Sequence, residues 1–130
     1  MSDNLELVRS IYAAWERGDF TSADWADAQI EYVSVDGPDP GTWSGIAELA
    51  QANREFLSAW TDWRIEAERF IELDGDRVLV LTRRGGRGRK SGLRLWEPAA
   101  NLLFIRDGAV YRIVFYWTRE RALADLGVEE

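Results

Sequence analysis

NLLFIRDGAVYRIVFYW, residues 101–117, contains two mostly apolar runs on either side of Arg106-Asp107-Gly108. An Asp-Gly pair between β-branched and aromatic residues is typical of a tight β-hairpin turn. Because nearly every position in both runs is apolar, the pattern predicts strands that are covered on both faces. We expect one face to meet helices and the other to meet a second layer or a partner chain.

Along the whole chain, the sequence predicts helices mostly in the first half and strands mostly in the second half. The patterns predict helices at 3–17 and 20–28, a strand at 29–35, an irregular loop at 36–45, a helix at 45–60, strands at 62–73 and 77–84, a basic glycine-rich connection at 85–92, strands at 93–105 and 109–117, and a helix at 119–126. Helices gathered at the start and a meander of strands at the end predict an α+β domain with an antiparallel sheet.

Local signals set the ends of several of these elements. Pro98 cannot donate to a strand ladder, so it predicts a bulge or an edge in its strand. Side chains that can accept hydrogen bonds from the first turn precede three of the helices. The predicted caps are Thr21 or Ser22 for the second helix, Ser44 for the third and Thr118 for the last, which Gly127 ends.

Composition limits the possible functions. With 130 residues and 46% hydrophobic content, the chain is expected to form one domain over residues 1–130. There is no Cys and no His, which excludes disulfides, thiolate–metal sites and His-dependent catalytic triads. The net charge of −7 disfavours binding to nucleic acid, and no apolar run approaches the roughly 20 residues of a membrane span. We expect a soluble cytoplasmic protein that binds no metal, cofactor, nucleic acid or membrane.

Several short stretches resemble the nuclear transport factor 2-like superfamily and, within it, the SnoaL-like group. They are ERGDF at 16–20, GIAEL at 45–49, GRGRKSG at 86–92, RDGAVYRI at 106–113, and Tyr116 with Ala122-Leu123. The resemblance implies a cystatin-like cone, in which a curved antiparallel or mixed sheet packs on N-terminal helices around an apolar cavity. It also implies a homodimer formed through the outer sheet face. Members include ketosteroid isomerase, polyketide cyclases, limonene epoxide hydrolase, scytalone dehydratase and non-catalytic modules, so the fold alone does not choose a function.

Asp36 ends the predicted strand 29–35 and precedes the loop that leads to Gly45. The resemblance implies a catalytic role, because ketosteroid isomerases place their general base at a similar strand end. A partly desolvated carboxylate at the mouth of a cavity can take a proton next to a carbonyl and return it nearby. The alternative is a turn residue, because Asp-Gly is common turn chemistry.

Two further residues are candidates to stabilise negative charge on a substrate oxygen. Tyr12 lies on the first helix, near where ketosteroid isomerases carry an oxyanion-stabilising Tyr, although its register is slightly offset. Asn101 is an amide inside the apolar run AANLLFI, where it can donate to a carbonyl or an oxyanion. The alternatives are a core Tyr with its hydroxyl at the rim, and an Asn that satisfies backbone groups next to Pro98.

Seven tryptophans are many for this length, and they either fill a core and an interface or line a ligand pocket. Glu97 is either a second carboxylate of such a pocket or an exposed surface residue. The basic residues between 83 and 90 are interpreted as a solvated hairpin tip, with binding of an anionic ligand as the alternative. The predicted ligand-binding residues are Trp15, Tyr32, Trp43, Asn53, Trp60, Trp96, Tyr116 and Trp117.

Known mechanisms of the group match only in part. SnoaL-type cyclases use an acidic residue late in the sheet, and VFYWTRE at 114–120 has no carboxylate before Glu120. One hypothesis is a cofactor-independent isomerase, cyclase or dehydratase, in which Asp36 moves a proton while Tyr12 or Asn101 polarises a carbonyl. The other is a non-catalytic module for ligand binding or dimerisation. The expected ligand is a small hydrophobic molecule.

Overall fold

The computed structural model describes residues 3–20, 23–37 and 40–129. In this part of the chain, three helices and six strands confirm the predicted α+β class. In order they are α1 (Asp3–Glu16), β1 (Ala26–Ser34), β2 (Gly41–Ser44), α2 (Ile46–Ser58), β3 (Trp60–Asp74), β4 (Arg77–Gly88), β5 (Arg94–Arg106), β6 (Ala109–Tyr116) and α3 (Arg119–Leu126).

The strands form one mixed sheet in the order β2-β1-β6-β5-β4-β3. Strands β3 to β6 pair antiparallel with their neighbours in sequence, which confirms the predicted meander. At the β5–β6 turn, Asp107 and Gly108 have φ values of 53° and 75°, as a type I′ hairpin requires. Strand β1 pairs parallel with β6, with Tyr32 opposite Ile113. Strand β2 pairs antiparallel with the other edge of β1.

Both faces of the central strands are covered, as their apolar pattern predicts. Alternate side chains of β4, such as Val78 and Val80, pack with Ile11 and Tyr12 of α1 on one face, here called the α1 face. Side chains between them pack with Ala122 of α3 on the other face. Strand alternation therefore divides the core into two clusters, and the α1 face carries the site described below.

The helix predicted at 20–28 is wrong. Residues 26–28 open β1, where Ala26 lies opposite Val110, so sheet pairing overrides the helical preference of the two alanines. The proposed caps Thr21 and Ser22 lie outside the described residues. The loop predicted at 36–45 also contains the short strand β2, because residues 41–44 find pairing partners on β1.

Helix ends agree with the sequence in part. Thr118 takes the predicted N-cap position of α3 but makes no side-chain capping hydrogen bond, and Gly127 ends the helix in the left-handed conformation at φ 64°, as predicted. For α2, Gly45 rather than Ser44 takes the N-cap position, with φ 87°. The Glu48 carboxylate accepts a hydrogen bond from the Ser44 backbone N–H at 3.3 Å, so the acceptor at this helix start comes from inside the helix.

Strand β4 extends four residues beyond its predicted end, from residue 84 to Gly88. A Cβ on Gly85 would lie 1.8 Å from the Leu95 carbonyl oxygen, so only glycine lets β4 and β5 approach this closely. The β4–β5 register runs unbroken past Pro98, which lies opposite Arg83. Pairing of β5 with β6 begins at Ala100, so Pro98 occupies an edge rather than a bulge.

Candidate functional site

A cavity of about 190 Å³ lies between the α1 face of the sheet and helix α2. Helix α2 has no fully buried residue, because its apolar stripe, including Leu49 and Phe56, lines this space instead of filling a core. Five of the seven tryptophans line the cavity: Trp15, Trp25, Trp43, Trp63 and Trp117. The site is therefore a largely aromatic chamber.

Six of the eight predicted ligand-binding residues line the cavity, namely Trp15, Tyr32, Trp43, Asn53, Tyr116 and Trp117. The other two lie outside the lining. Trp60 packs on Phe56 and Trp63, with ring centroids 6.2 and 5.1 Å away, and Trp96 is 40% exposed. Trp63, which was not predicted, lines the cavity together with Ile65. Period-two spacing back from Ile65 would have found it.

Asn101 lines the cavity and is only 3% exposed. Its Nδ2 donates a hydrogen bond of 2.5 Å to the hydroxyl of Tyr12, which is 1% exposed and is not among the lining residues. The Tyr12 ring meets the Trp15 ring edge-on at 4.7 Å. Burial raises the pKa of Tyr12 well above its usual range, although the Asn101 hydrogen bond acts in the opposite direction. Tyr12 is therefore a neutral phenol that lies outside the cavity lining and holds the Asn101 amide in place through this hydrogen bond.

The Asp36 carboxylate is held by the backbone that leads into α3. Its Oδ1 accepts a hydrogen bond from the Trp117 N–H at 2.6 Å, and its Oδ2 accepts one from the Thr118 N–H at 3.2 Å. Asp36 is not among the residues that line the cavity. These contacts connect the end of β1 to the start of α3, so the carboxylate has a long-range structural role that differs from the local turn proposed as the alternative.

Arg84 is a cavity residue that sequence reasoning missed. The solvated hairpin tip proposed for the basic run is wrong for this side chain, which is 4% exposed and lines the cavity. Its Nη2 donates to the Trp117 carbonyl oxygen, and its guanidinium lies 3.6 Å from the centre of the Trp117 ring. The even-numbered alternation of Val78, Val80 and Thr82 continues to Arg84 and could have placed it on the α1 face.

The charge of Arg84 survives its burial. Desolvation lowers the pKa of Arg84 to about 10, while the negative charges of Glu97 and Asp36 act in the opposite direction. The guanidinium is therefore protonated at neutral pH. Glu97 itself is exposed, and Arg83 next in the chain makes a surface ion pair with Glu68 at 3.0 Å. The basic run is thus divided between the cavity and the surface.

Neither a metal cluster nor a membrane helix is present in the described part of the chain. Residues 3–20, 23–37 and 40–129 contain no group of three or more His, Cys, Asp or Glu side chains that could hold a metal ion. None of the helices in these ranges is long and apolar enough to cross a bilayer.

Comparison with protein families finds a match to a model described as a SnoaL-like domain, over residues 8–113. No curated protein sequence matches the chain significantly.

Solved structures share the fold at low sequence identity. An NTF2-like protein of unknown function from Burkholderia pseudomallei superposes with a TM-score of 0.79 at 20% identity, covering 95% of this chain and 97% of its own. A protein with a ketosteroid isomerase-like fold from Catenulispora acidiphila, in complex with trimethylamine, gives 0.73 at 20% identity, covering 95% and 94%. TerC, co-crystallised with polyporic acid, gives 0.73 at 22% identity, covering 96% and 98%. At these identities the likeness establishes the fold.

Proposed function

The chain belongs to the SnoaL-like domain family, and on that premise we propose that it binds a small aromatic molecule in the tryptophan-lined cavity. Large flat side chains around a chamber offer stacking surface to a flat ligand. A cavity of roughly 150 Å³ holds benzene in another protein, so about 190 Å³ accommodates one or two fused rings. The polyporic acid bound by TerC, which shares the fold, supports a ligand of this kind.

The observation that carries this proposal is the buried Asn101 amide in the wall of a largely aromatic chamber. A polar group in such a place is costly unless it is hydrogen-bonded, and the Tyr12 hydroxyl supplies one partner. An amide has donors and acceptors beyond that one bond, which leaves capacity for a ligand oxygen. The proposed ligand therefore combines an aromatic ring system with a carbonyl or hydroxyl group.

Catalysis by Asp36 has less support. Both carboxylate oxygens already accept backbone hydrogen bonds, so protonation of Asp36 would weaken the contact that holds the start of α3. Asn101 cannot act as a base. We therefore place the non-catalytic hypothesis ahead of the isomerase, cyclase or dehydratase hypothesis. A homodimer and a cytoplasmic location remain part of the proposal.

The test is titration of the ¹⁵N-labelled protein with 2-naphthol, observed through the indole N–H signals of the tryptophans. We expect saturable shifts for cavity residues such as Trp43 and Trp63, while exposed Trp96 serves as an internal reference. Ala52→Phe fills the cavity and is expected to abolish these shifts. Ala47→Phe places the same ring on the exposed side of α2 and is the matched control. Unchanged cavity signals at saturating 2-naphthol would contradict the proposal.

A further inference from the structure

Within residues 3–20, 23–37 and 40–129, Arg84 is a buried cation without a carboxylate at ion-pair distance. The ion pairs found in the described ranges include Arg77 with Asp74 and the largely buried Arg119 with Glu68, and Arg84 takes part in none of them. Glu97 lies opposite Arg84 in the β4–β5 register, but it is exposed and beyond ion-pair distance. A guanidinium taken out of water is stable only where other groups compensate its charge.

Two polar atoms in this region have no hydrogen-bond partner within residues 3–20, 23–37 and 40–129. They are Nη1 of Arg84 and Oγ1 of Thr82, and both are buried. The two residues are separated by one position on β4, so their side chains leave the same face of the sheet, and both line the cavity. A charged donor and a hydroxyl donor are thus left side by side within a largely apolar chamber.

The Arg84 guanidinium is fixed in orientation by groups that do not neutralise it. Nη2 is held by the Trp117 carbonyl oxygen, and the plane of the guanidinium is covered by the Trp117 ring at 3.6 Å. Trp117 is itself held by Asp36, which accepts its N–H at 2.6 Å. Among the described residues Nη1 has no hydrogen-bond partner, and a fixed N–H donor of this kind matches the geometry of a carboxylate oxygen.

We propose that the ligand of this cavity is an aromatic carboxylic acid, whose carboxylate binds Nη1 of Arg84 and Oγ1 of Thr82 while its rings stack among the tryptophans. The inference rests on the proposed binding function and specifies the ligand class. Asn101 lies two register positions beyond Thr82 on the adjacent strand, since Asn101 pairs with Val80 while Ala99 pairs with Thr82. It is therefore placed to meet a second oxygen of the same ligand.

The test compares 2-naphthoate with 2-naphthamide, which has nearly the same shape without the charge, by isothermal titration calorimetry on the wild-type protein. A charge-assisted hydrogen bond in a buried site corresponds to about tenfold or more in affinity, so we expect 2-naphthoate to bind at least about tenfold more tightly. In Arg84→Gln the ratio of the two affinities should fall to near one. Arg83→Gln, on the neighbouring surface residue, should keep the wild-type ratio.

Thr82→Val removes the hydroxyl at nearly constant shape and should reduce the ratio several-fold, whereas Thr82→Ser should restore it. This pair keeps the test valid if Arg84→Gln fails to fold. Equal wild-type affinities for the two ligands would overturn the carboxylate inference and leave the binding function standing. A ratio that survives in both Arg84→Gln and Thr82→Val would overturn it as well. If neither ligand binds and the cavity tryptophan signals stay unchanged, the proposed function itself fails.

Discussion

Asn101 Nδ2 lies 2.5 Å from the Tyr12 hydroxyl, a hydrogen bond that joins β5 to α1 across 89 positions of sequence. Tyr12→Phe keeps the ring and removes the hydroxyl, which leaves a buried amide without this partner. We expect a loss of about 1–3 kcal/mol in the free energy of unfolding, measured by urea denaturation. Tyr111→Phe is the matched control, because that ring is only partly buried and packs on Phe104 near the β5–β6 turn. Its effect on the free energy of unfolding should stay within about 0.5 kcal/mol. Equal stabilities of the two variants would show that the buried bond contributes nothing.

Asp36→Ala removes the acceptor for the N–H groups of Trp117 and Thr118 at the start of α3. The Thr118 side chain makes no capping hydrogen bond of its own, so nothing local replaces the carboxylate. We expect a loss of about 1–2 kcal/mol in stability, together with faster amide exchange in α3 than in α1. Asp24→Ala, at an exposed turn position, is the control and should be close to neutral. Unchanged exchange in α3 would contradict the anchoring role of Asp36.

Gly85→Ala tests the close approach of β4 and β5. The added methyl would lie 1.8 Å from the Leu95 carbonyl oxygen, so the strands must separate. We expect the free energy of unfolding, measured by urea denaturation, to fall by about 3 kcal/mol or more, or the variant to fail to fold. Gly75→Ala is the control, because a Cβ there meets nothing within 4 Å. The change in its urea denaturation midpoint should be small. A folded Gly85→Ala protein of wild-type stability would show that β4 and β5 can separate enough to accommodate the methyl group.

Glu68 makes stability depend on pH. The hydrogen bond from Arg119, and after it the one from Arg83, lowers the pKa of Glu68 below its usual value in the folded protein. A carboxyl whose folded pKa is lowered stabilises the fold above its unfolded pKa, and this contribution is lost as the pH falls through the folded pKa. Glu68→Gln should therefore be less stable than wild type near about pH 7, with the difference shrinking toward about pH 3. Denaturation of Glu66→Gln over the same range is the control, and a pH-independent Glu68→Gln difference would contradict the assignment.

Patterns within a few residues predicted most of the fold. The Asp107-Gly108 turn, the strands around it and the limits of α3 follow from side chains close to each element. Strand β2 and the opening of β1 were missed, because their conformation depends on partners far away in sequence rather than on local preference.

The candidate site was predicted in part for the same reason. Aromatic residues on strand and helix faces were found by spacing, whereas Arg84 was assigned to the surface because its basic, glycine-rich surroundings resemble a loop. The partners of Asp36 are backbone groups 81 and 82 residues away, which no local pattern reveals. For Arg84, the basic, glycine-rich composition indicated a surface loop, whereas strand alternation would have placed the side chain on the α1 face.

The parallel pairing of β1 with β6 has a consequence for synthesis of the protein on the ribosome. The chain makes β1 roughly 80 residues before its partner, so β1 waits with unpaired backbone groups while β3 to β5 emerge. The cavity wall that contains Tyr32 and Phe115 closes only after β6 has left the exit tunnel. A nascent chain that lacks β6 therefore has an incomplete cavity wall, and the edge of β1 that later pairs with β6 is open to other strands until β6 emerges.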